Sequence, residues 1–358
     1  MLCEDVDREQ DSIAVAERVL AAFTRPFLLA GRELFATASI GVAVSQERDT
    51  AERLLRDADV AMYRAKERGG ARYEVFDAAM RRRSLERMQT ENELRRALGR
   101  DELRLHYQPV VSLKDRTVTG AEALIRWEHP ERGLLSPAAF IPVAEESSLI
   151  VAVGEWVLRA ACHQLAGWRD LLPADFTLSV NVSARQFADP GLLVETVRTA
   201  LQDAGADPSR LSLELTEGVL MQQEGAHDTL LGLKGLGVRV VLDDFGTGYS
   251  SLSYLSRFPL DGLKVDRSFV ARMQEGSPEH AIVAAVGTMA GAMNLSVVAE
   301  GIESDAQRTA LHHLGYRLGQ GFLFAKPTAP ETFAQLLTPP PAVNAAAPSN
   351  GALDAIRA

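Results

Sequence analysis

The sequence predicts an α/β chain whose larger part is a TIM-like (βα)8 barrel with an antiparallel first strand, preceded by a partial α/β segment. Eight apolar segments with strand character recur between residues 99 and 337, and helical segments separate most of them. The first two strands are joined by only about seven residues around Ser112 to Val118, too few for a parallel crossover. We therefore expect the first strand to run antiparallel to the second.

Length and composition bound the class of protein. The chain has 358 residues, of which 46% are hydrophobic and 24% charged, as expected of a globular protein with one large domain and part of another. No uninterrupted apolar run approaches the roughly 20 residues of a membrane span, and Ala281 to Met293 comes nearest. We expect a soluble chain without a membrane segment, although a longer parent could carry an anchor upstream.

The net charge argues against one class of partner, and the cysteine content indicates the cellular compartment. The formal net charge of -10 argues against a nucleic-acid polymer as partner. Cys3 and Cys162 provide no disulfide framework, which suits a reducing cytoplasm. A cytoplasmic location is therefore expected.

Residues 1–77 have the pattern of part of an α/β domain, because a core of this size is marginal by itself. The predicted elements are helix Asp11–Phe23, strand Phe35–Val44, helix Ala51–Arg68 and strand Tyr73–Phe76. Residues 78–98 then predict a helix rich in Arg and Glu. A solvated linker and a signalling helix both fit that pattern.

The predicted barrel occupies residues 99–337, and a tail of low apolar content, expected to be disordered, follows at 338–358. The predicted strands are Leu103–Val111, Thr119–Trp127, Phe176–Val182, Leu211–Thr216, Val238–Asp243, Gly262–Val265, Leu295–Ala299 and Leu318–Leu323. The predicted helices include Leu149–Leu171, Gly191–Ala204, His280–Ala292 and Asp305–Leu314.

Two adjacent carboxylates, Asp243 and Asp244, follow the apolar run from Val238 to Leu242. Side chains alternate across a strand, so the two can converge only if the backbone leaves the sheet there, as Gly246 and Gly248 would permit. A divalent metal would relieve their repulsion, whereas a surface turn is an equally ordinary setting for Asp and Gly.

Further polar residues fall at the ends of the other strands, where the active site of a barrel lies. They are Glu122, Asn181, Glu214, Glu217, Lys264, Asp266, Glu300 and Gln320. Each alone is most simply a solvated rim residue. The oxygen-bearing side chains among them, at the same end of consecutive strands, predict a site of hard oxygen donors that suits two Mg²⁺ or Mn²⁺ ions.

The first segment resembles the C-terminal half of a GGDEF domain, the diguanylate cyclase fold. The matching stretches are Thr37-Ala-Ser-Ile-Gly-Val-Ala and Asp57-Ala-Asp-Val-Ala-Met-Tyr-Arg-Ala-Lys66. The signature that names the family is absent, and Gly70 stands where the family usually has an Arg. Cyclase activity is therefore not expected.

Residues 99–337 resemble an EAL domain, the phosphodiesterase of the bacterial second messenger cyclic di-GMP. The matching motifs are Tyr107-Gln-Pro, Glu122-Ala-Leu-Ile-Arg-Trp, Phe140-Ile-Pro-Val-Ala-Glu, Asn181-Val-Ser, Glu214-Leu-Thr-Glu, Asp243-Asp-Phe-Gly-Thr-Gly-Tyr-Ser-Ser-Leu, Leu263-Lys-Val-Asp, Val298-Ala-Glu-Gly-Ile-Glu303 and Gln320-Gly-Phe-Leu-Phe-Ala-Lys-Pro.

Carried over position by position, the resemblance implies metal ligands at Glu122, Asn181, Glu214, Asp243, Asp244 and Glu300. Lys264 matches the lysine beside the attacking water, with a salt bridge inside the barrel as the competing interpretation. Glu217 matches the residue that steadies the Asp-Phe-Gly-Thr-Gly loop. The positions that line the nucleotide are Gln108, Leu124, Arg126, Asp266, Glu303 and Gln320. Arg126 offers a fork of donors for phosphate, or is a solvent-facing strand residue.

These assignments predict two-metal, in-line hydrolysis of cyclic di-GMP to linear pGpG. A receptor that binds the nucleotide without cutting it, and a pure scaffold, are the alternatives. The complete metal set favours catalysis. The resemblance also implies a homodimer formed through residues 245–256.

Overall fold

The computed structural model describes residues 3, 9–29, 32–45, 49–223, 225–246 and 257–337. The tail predicted to be disordered and most of the predicted dimer segment, residues 247–256, lie outside this part of the chain. The chain divides into two compact units, residues 1–93 and 94–358.

The smaller unit contains two helices and two pairs of short strands before the long helix α3. Its elements are α1 Glu9–Ala22, β1 Phe27–Leu29, β2 Arg32–Leu34, β3 Ile40–Val42, α2 Ala51–Glu67 and β4 Tyr73–Val75, and α3 spans Ala78–Ala97. Strands β1 and β2 pair antiparallel, and β3 and β4 pair parallel. Helix α2 begins after Thr50, whose side chain accepts a hydrogen bond from the Arg53 N–H.

The three helices and strand β4 confirm the sequence prediction within two residues. The predicted strand Phe35–Val44 is wrong, because only Ile40–Val42 pairs with another strand and Phe35 is 75% exposed. The hairpin of β1 and β2 was not predicted, since its strands are three residues long and lack a period that a pattern search detects.

The larger unit is built on a closed sheet of eight strands. The strands are β5 Leu103–Ser112, β6 Val118–His129, β8 Thr177–Asn181, β9 Leu211–Thr216, β10 Arg239–Phe245, β11 Gly262–Val265, β12 Ser296–Ala299 and β13 Leu318–Gly319. The spatial order is β5-β13-β12-β11-β10-β9-β8-β6, and β5 pairs with β6 to close the barrel. A short strand β7, Gly133–Leu135, forms a hairpin with β6.

Strand β5 runs antiparallel to both of its neighbours, β6 and β13, whereas the other barrel neighbours pair parallel. The predicted antiparallel first strand is thus confirmed. Seven of the eight predicted barrel strands agree with the structure within two residues. The prediction Leu318–Leu323 is wrong, because β13 ends at Gly319 and a turn follows it.

Helices surround this sheet and cover its outer face. They are α4 Ile141–Glu146, α5 Leu149–Gly167, α6 Ala184–Phe187, α7 Pro190–Ala204, α8 Glu217–Gln222, α9 Ala226–Gly235, α10 Arg267–Arg272, α11 Pro278–Ala292, α12 Asp305–His313 and α13 Pro330–Leu337, with 3-10 turns at Pro137–Ala139 and Pro208–Arg210. The four predicted helices correspond to α5, α7, α11 and α12. The short helices were not predicted, because one or two turns carry too little periodicity.

The core lies between the barrel and its helices. Tyr107 on β5 points outward into it, where its ring lies 4.7 Å from that of Trp168 and 5.9 Å from that of Phe333.

Among the described residues, α5 is the one helix long and apolar enough to cross a membrane. Its residues Val153, Leu158 and Ala161 are buried in this core, as apolar residues of a core helix usually are.

Candidate functional site

The polar residues at or near the carboxyl ends of the strands lie at one mouth of the barrel. Successive strands contribute Glu122 on β6, Asn181 on β8, Glu214 on β9, Asp243 and Asp244 on β10, Lys264 on β11, Glu300 directly after β12 and Gln320 directly after β13. The parallel register of the neighbouring strands places these residues at the same end of the sheet.

Lys264 lies at the centre of this cluster and is 2% exposed. Its Nζ is 2.6 Å from Glu300 Oε1, 2.8 Å from Glu214 Oε2, 3.1 Å from Glu122 Oε2 and 3.6 Å from Asp243 Oδ1. Four carboxylates from four different strands or strand ends therefore surround one ammonium group. These contacts are the barrel-interior salt bridges that the sequence analysis gave as the competing interpretation of Lys264.

Amide side chains fix the orientation of Glu122. Asn181 Nδ2 donates a hydrogen bond of 2.8 Å to Glu122 Oε1, and Gln320 Nε2 donates one of 2.8 Å to Oε2. Gln320 Nε2 also donates to Gln108 Oε1 at 2.9 Å, and Gln108 Nε2 donates to the Ala325 carbonyl at 3.1 Å. Both glutamines thus support a carboxylate of the cluster.

A backbone irregularity brings Asp243 and Asp244 together. The register of β10 against β11 shifts between Leu242 and Phe245, and Asp244 has a φ of 54°. The Asp244 N–H donates to Asp243 Oδ1 at 2.9 Å. Strand β10 continues two residues beyond the predicted end, Asp243, to Phe245, so the irregularity lies within the strand. Of the two glycines credited with the departure, Gly246 follows the bulge with a φ of 99°, and Gly248 lies outside the described residues.

The acidic groups of this end lie close enough to share a cation. One ligand oxygen each from Asp243, Asp244 and Glu300 lies within 4.8 Å of the others. Glu122 and Glu214 join the same cluster through Lys264. When all five carboxyls are ionised, they carry five negative charges and Lys264 carries one positive charge, so two divalent cations would balance the remainder. The donor set of carboxylates and an amide fits Mg²⁺ or Mn²⁺.

Burial and neighbouring groups shift the pKa values of Glu122 and Glu214 in opposite directions. Burial raises the pKa of Glu122, but Lys264 and the hydrogen bonds from Gln320 and Asn181 outweigh it and hold that pKa below its ordinary value. Burial raises the pKa of Glu214 to about 8 against the attraction of Lys264, with the charges of Glu122 and Asp243 adding to the rise. Glu122 therefore stays ionised more readily than Glu214.

Three further groups of the cluster have shifted values. Burial raises the pKa of Glu300 to about 7 against the attraction of Lys264, with a contribution from Asp243. Burial and the charges of Asp243 and Asp266 raise the pKa of Asp244. Burial lowers the pKa of Lys264, but the surrounding carboxylates, Glu122 first, raise it well above its ordinary value. Lys264 is therefore a permanent cation.

Two of the residues predicted to line the nucleotide lie on β6 beyond Glu122. Leu124 and Arg126 are both half-buried and share the strand face of Glu122. One guanidinium N–H of Arg126 donates to the Ile125 carbonyl at 2.8 Å. Within the described part of the chain no further hydrogen bond occupies the guanidinium, so its remaining donors can bind a phosphate group.

The other predicted residues lie in the segments after the strands. Asp266 caps α10 by accepting a hydrogen bond from the Ser268 N–H at 3.0 Å, and its charge acts on Asp244. Glu303 is exposed, and no contact joins its side chain to the Lys264 cluster in the described part of the chain. Glu217 is the half-buried first residue of α8, whereas most of the loop that it is predicted to steady lies outside the described residues.

Two features of this mouth were not predicted from the sequence. Phe322 is 54% exposed in the turn after Gln320, although it was assigned to a strand. The glycines that flank Gln320 would have been the signal for that turn. The Ala325 carbonyl that holds Gln108 is a backbone group, and no sequence signal identifies it.

Comparison with protein families places two matches on the chain. The profile of the EAL domain matches residues 91–327, which is more than half of the chain. The profile described as diguanylate cyclase, GGDEF domain, matches residues 1–72.

Two similar proteins are named as cyclic di-GMP phosphodiesterases, one of them also as a diguanylate cyclase. The bifunctional diguanylate cyclase/cyclic di-GMP phosphodiesterase MucR of Pseudomonas aeruginosa is 42% identical over 323 residues, covering 90% of this chain and 47% of MucR. The cyclic di-GMP phosphodiesterase PdeR of Escherichia coli is 41% identical over 316 residues, covering 88% of this chain and 47% of PdeR. The chain spans about half the length of the curated relatives it matches.

Solved structures agree with these matches. The PaMucR phosphodiesterase in complex with c-di-GMP has 46% sequence identity and a TM-score of 0.66, covering 68% of this chain and 99% of that chain. The EAL enzyme Bd1971 in its cAMP- and cyclic-di-GMP-bound form has 35% identity and a TM-score of 0.69, covering 82% of this chain and 77% of that chain.

Proposed function

This chain belongs to the EAL domain family, and from that premise we propose that it hydrolyses cyclic di-GMP to linear pGpG. The observation that carries the proposal is the set of carboxylates from four strands or strand ends within 3.6 Å of the Lys264 ammonium. The relatives named as cyclic di-GMP phosphodiesterases, and the solved EAL domains in complex with that nucleotide, support the choice of substrate.

Two Mg²⁺ or Mn²⁺ ions are the proposed cofactors. The residues that would hold them are Glu122, Asn181, Glu214, Asp243, Asp244 and Glu300. Bound there, they would supply Lewis-acid activation of a water molecule and charge neutralisation at the phosphodiester.

We assign a separate role to each of the other side chains of the site. Lys264 is permanently protonated, so we assign it the role of a hydrogen-bond donor and fixed positive charge beside the attacking water. It is therefore unsuited to act as a general base. The amides of Asn181 and Gln320 hold Glu122 in one orientation. We assign Arg126 to a phosphate oxygen and Glu217 to the support of the loop that follows β10.

The other positions that we assign to the substrate are Gln108, Leu124, Asp266, Glu303 and Gln320. Gln320 Oε1 is buried and has no hydrogen-bond partner among the described residues. A buried acceptor of this kind is costly unless a partner is supplied, and a donor on the bound nucleotide would supply one.

The function is tested by incubating the full chain with cyclic di-GMP and Mg²⁺ or Mn²⁺ and following pGpG release by chromatography. We expect turnover that stops when EDTA is added. A calorimetric titration with Ca²⁺ in place of Mg²⁺ measures binding of the nucleotide without turnover. Binding without turnover in any of the metals would contradict hydrolysis and favour a receptor, and neither binding nor turnover would favour a scaffold.

We also propose a homodimer formed through residues 245–256 and a location in the cytoplasm. Diguanylate cyclase activity is not part of the proposal, because the signature of that family does not occur within residues 1–77.

A further inference from the structure

His106 lies at the barrel mouth without a role in the site described above. It is two residues from Gln108 along β5 and directly opposite Leu124 on β6. Tyr107 between them points outward, into the core with Trp168. Because side chains alternate across a strand, His106 shares the inner face with Gln108 and lies one step closer to the mouth.

Three neighbours define the environment of the His106 ring. It forms a hydrogen bond with the backbone of Pro327, and since proline has no N–H, the ring is the donor and the carbonyl the acceptor. Burial lowers the pKa of His106, the charge of Arg126 lowers it further, and these effects outweigh the Pro327 carbonyl and the charge of Glu331. The imidazole is therefore neutral near pH 7, with one nitrogen as donor and the other as acceptor.

His106 also borders a groove between β5 and the outer helices α5 and α13. This groove has a volume of about 560 Å³, and its other lining residues include Arg104, Trp156, Gln164 and Glu331. None of the residues assigned to the site lines this groove, so the position of His106 relative to a ligand follows from its strand face: the ring is half-buried and lies opposite Leu124 on the face of Gln108.

The hydrogen-bonding groups of the His106 ring determine which part of a nucleotide it can bind. The free ring nitrogen is an acceptor, and an ionised phosphodiester offers only acceptors. Nucleosides offer donors, namely the N–H groups of guanine and the ribose 2′-OH. Arg126, in contrast, offers donors only and suits the phosphate.

We infer that His106 contacts the substrate and accepts a hydrogen bond from a donor on the nucleoside part of cyclic di-GMP. The inference rests on the proposed function, which it refines by adding a residue that sets specificity. Neither the family resemblance nor the ligand set of the site assigns a role to this position.

The test compares His106→Phe, which keeps a ring of similar size but has no acceptor, with His106→Gln, which keeps one. We expect the KM of His106→Phe for cyclic di-GMP to rise about tenfold, the effect of losing one hydrogen bond to a ligand. The kcat should stay within about twofold, because His106 does not touch the reacting phosphate. His106→Gln should recover most of the lost affinity.

The control is His163→Phe, because His163 is an exposed residue of α5 away from the mouth. Calorimetry in Ca²⁺ should show the same tenfold rise in Kd for His106→Phe and none for the control. If His106→Phe does not fold, His106→Leu replaces it. An unchanged KM and Kd in the variant without an acceptor would overturn the inference, as would a fall in kcat at constant KM.

The donor is identified with the 2′-deoxy analogue of cyclic di-GMP. If the ribose 2′-OH donates, the wild type loses affinity for the analogue and His106→Phe has no further effect. If a guanine N–H donates, His106→Phe weakens binding of both compounds equally. Failure of the wild type to bind or hydrolyse cyclic di-GMP would reject the proposed function, whereas an active wild type matched by His106→Phe rejects only this inference.

Discussion

At the scale of single residues, hydrogen bonding divides the carboxyl groups around Lys264 into two kinds. Glu122 accepts hydrogen bonds from two amides as well as from Lys264, and its pKa lies below the ordinary value despite burial. Glu214 and Glu300 receive their described hydrogen bonds from Lys264, and burial raises their pKa to about 8 and about 7. Of these three carboxyls, Glu122 therefore loses its proton at the lowest pH.

Replacing Glu122 by Ala should abolish hydrolysis. The substitution removes an ionised carboxylate that we propose as a metal ligand, and it leaves Asn181 and Gln320 without their shared acceptor. We expect kcat at saturating Mg²⁺ or Mn²⁺ to fall by about 1000-fold, the upper end of the effect of removing one charge-stabilising group. Turnover is measured as pGpG release.

The matched control is Glu155→Ala on helix α5, where Glu155 forms an exposed ion pair with Arg159. This change should leave turnover unaltered, because exposed ion pairs contribute little. Retained turnover in Glu122→Ala would remove Glu122 from the proposed metal site.

The raised pKa values of Glu214 and Glu300 predict that the protein in EDTA loses stability as the pH rises. Both carboxyls bind protons more tightly in the folded state than in the unfolded state, where the pKa is 4.5. Their stabilising effect is complete below pH 4.5 and is lost progressively as the pH rises to about 7 for Glu300 and to about 8 for Glu214.

Urea unfolding of the wild type and Glu214→Gln measures this effect. We expect the wild-type midpoint to fall more steeply between about pH 4.5 and about pH 8, because the amide does not titrate. Parallel curves for the two proteins would show that Glu214 has an ordinary pKa.

At the scale of elements, two short irregular segments place the functional groups. The bulge in β10 turns Asp244 toward the side of Asp243, and the early end of β13 lets Gln320 reach Glu122 from a turn. Gly321 makes that turn possible, because a Cβ there would lie 2.2 Å from the Ile302 carbonyl oxygen.

Replacing Gly321 by Ala should therefore disturb both stability and activity. The clash is with the backbone of Ile302, which cannot rotate away, so the turn must shift. We expect a loss of about 1–3 kcal/mol in the free energy of unfolding, as for other overpacked sites. Activity should fall as well, since the shift moves Gln320 away from Glu122.

Gly235→Ala is the matched control, because nothing lies within 4 Å of a Cβ at that helix end. Urea unfolding and pGpG release measure both variants. If Gly321→Ala behaved like the control, the turn after β13 would tolerate a side chain. The close approach to Ile302 would then not be needed for stability or activity.

At the scale of the whole molecule, the direction of β5 shapes the mouth. Because β5 runs antiparallel to β6, its first half lies at the end of the barrel where the parallel strands finish. Gln108 and His106 thereby meet residues that are more than a hundred positions away in sequence, such as Gln320. If β5 ran parallel to β6, its second half and not its first half would lie at the mouth of the barrel.

The proposed homodimer predicts a rate that depends on protein concentration. If residues 245–256 couple association to activity, the rate per subunit should fall on dilution through the dimer dissociation constant, by mass action. Sedimentation velocity gives the association state at each concentration, and pGpG release gives the rate. A rate per subunit that stays constant while the dimer dissociates would separate activity from assembly.

Most barrel strands and the identities of the acidic residues could be predicted from the sequence. Strands under helices on both faces are continuous apolar runs, so Val238 to Leu242 stands out and the polar residue that follows it marks a strand end. The short connection after the first strand likewise reveals its direction. Local pattern fails for β1, β2 and β13, because two or three residues carry no measurable period.

By itself, the sequence determined the barrel, its antiparallel first strand and the residue types at its mouth, because these depend on local hydrophobic pattern and connection length. Only the tertiary structure decided that four carboxylates surround Lys264, that a bulge joins Asp243 to Asp244, and that two amides orient Glu122. Those facts depend on strand register and barrel closure, which join distant parts of the chain. Register is set by the packing of the whole sheet, and no single stretch of sequence contains it.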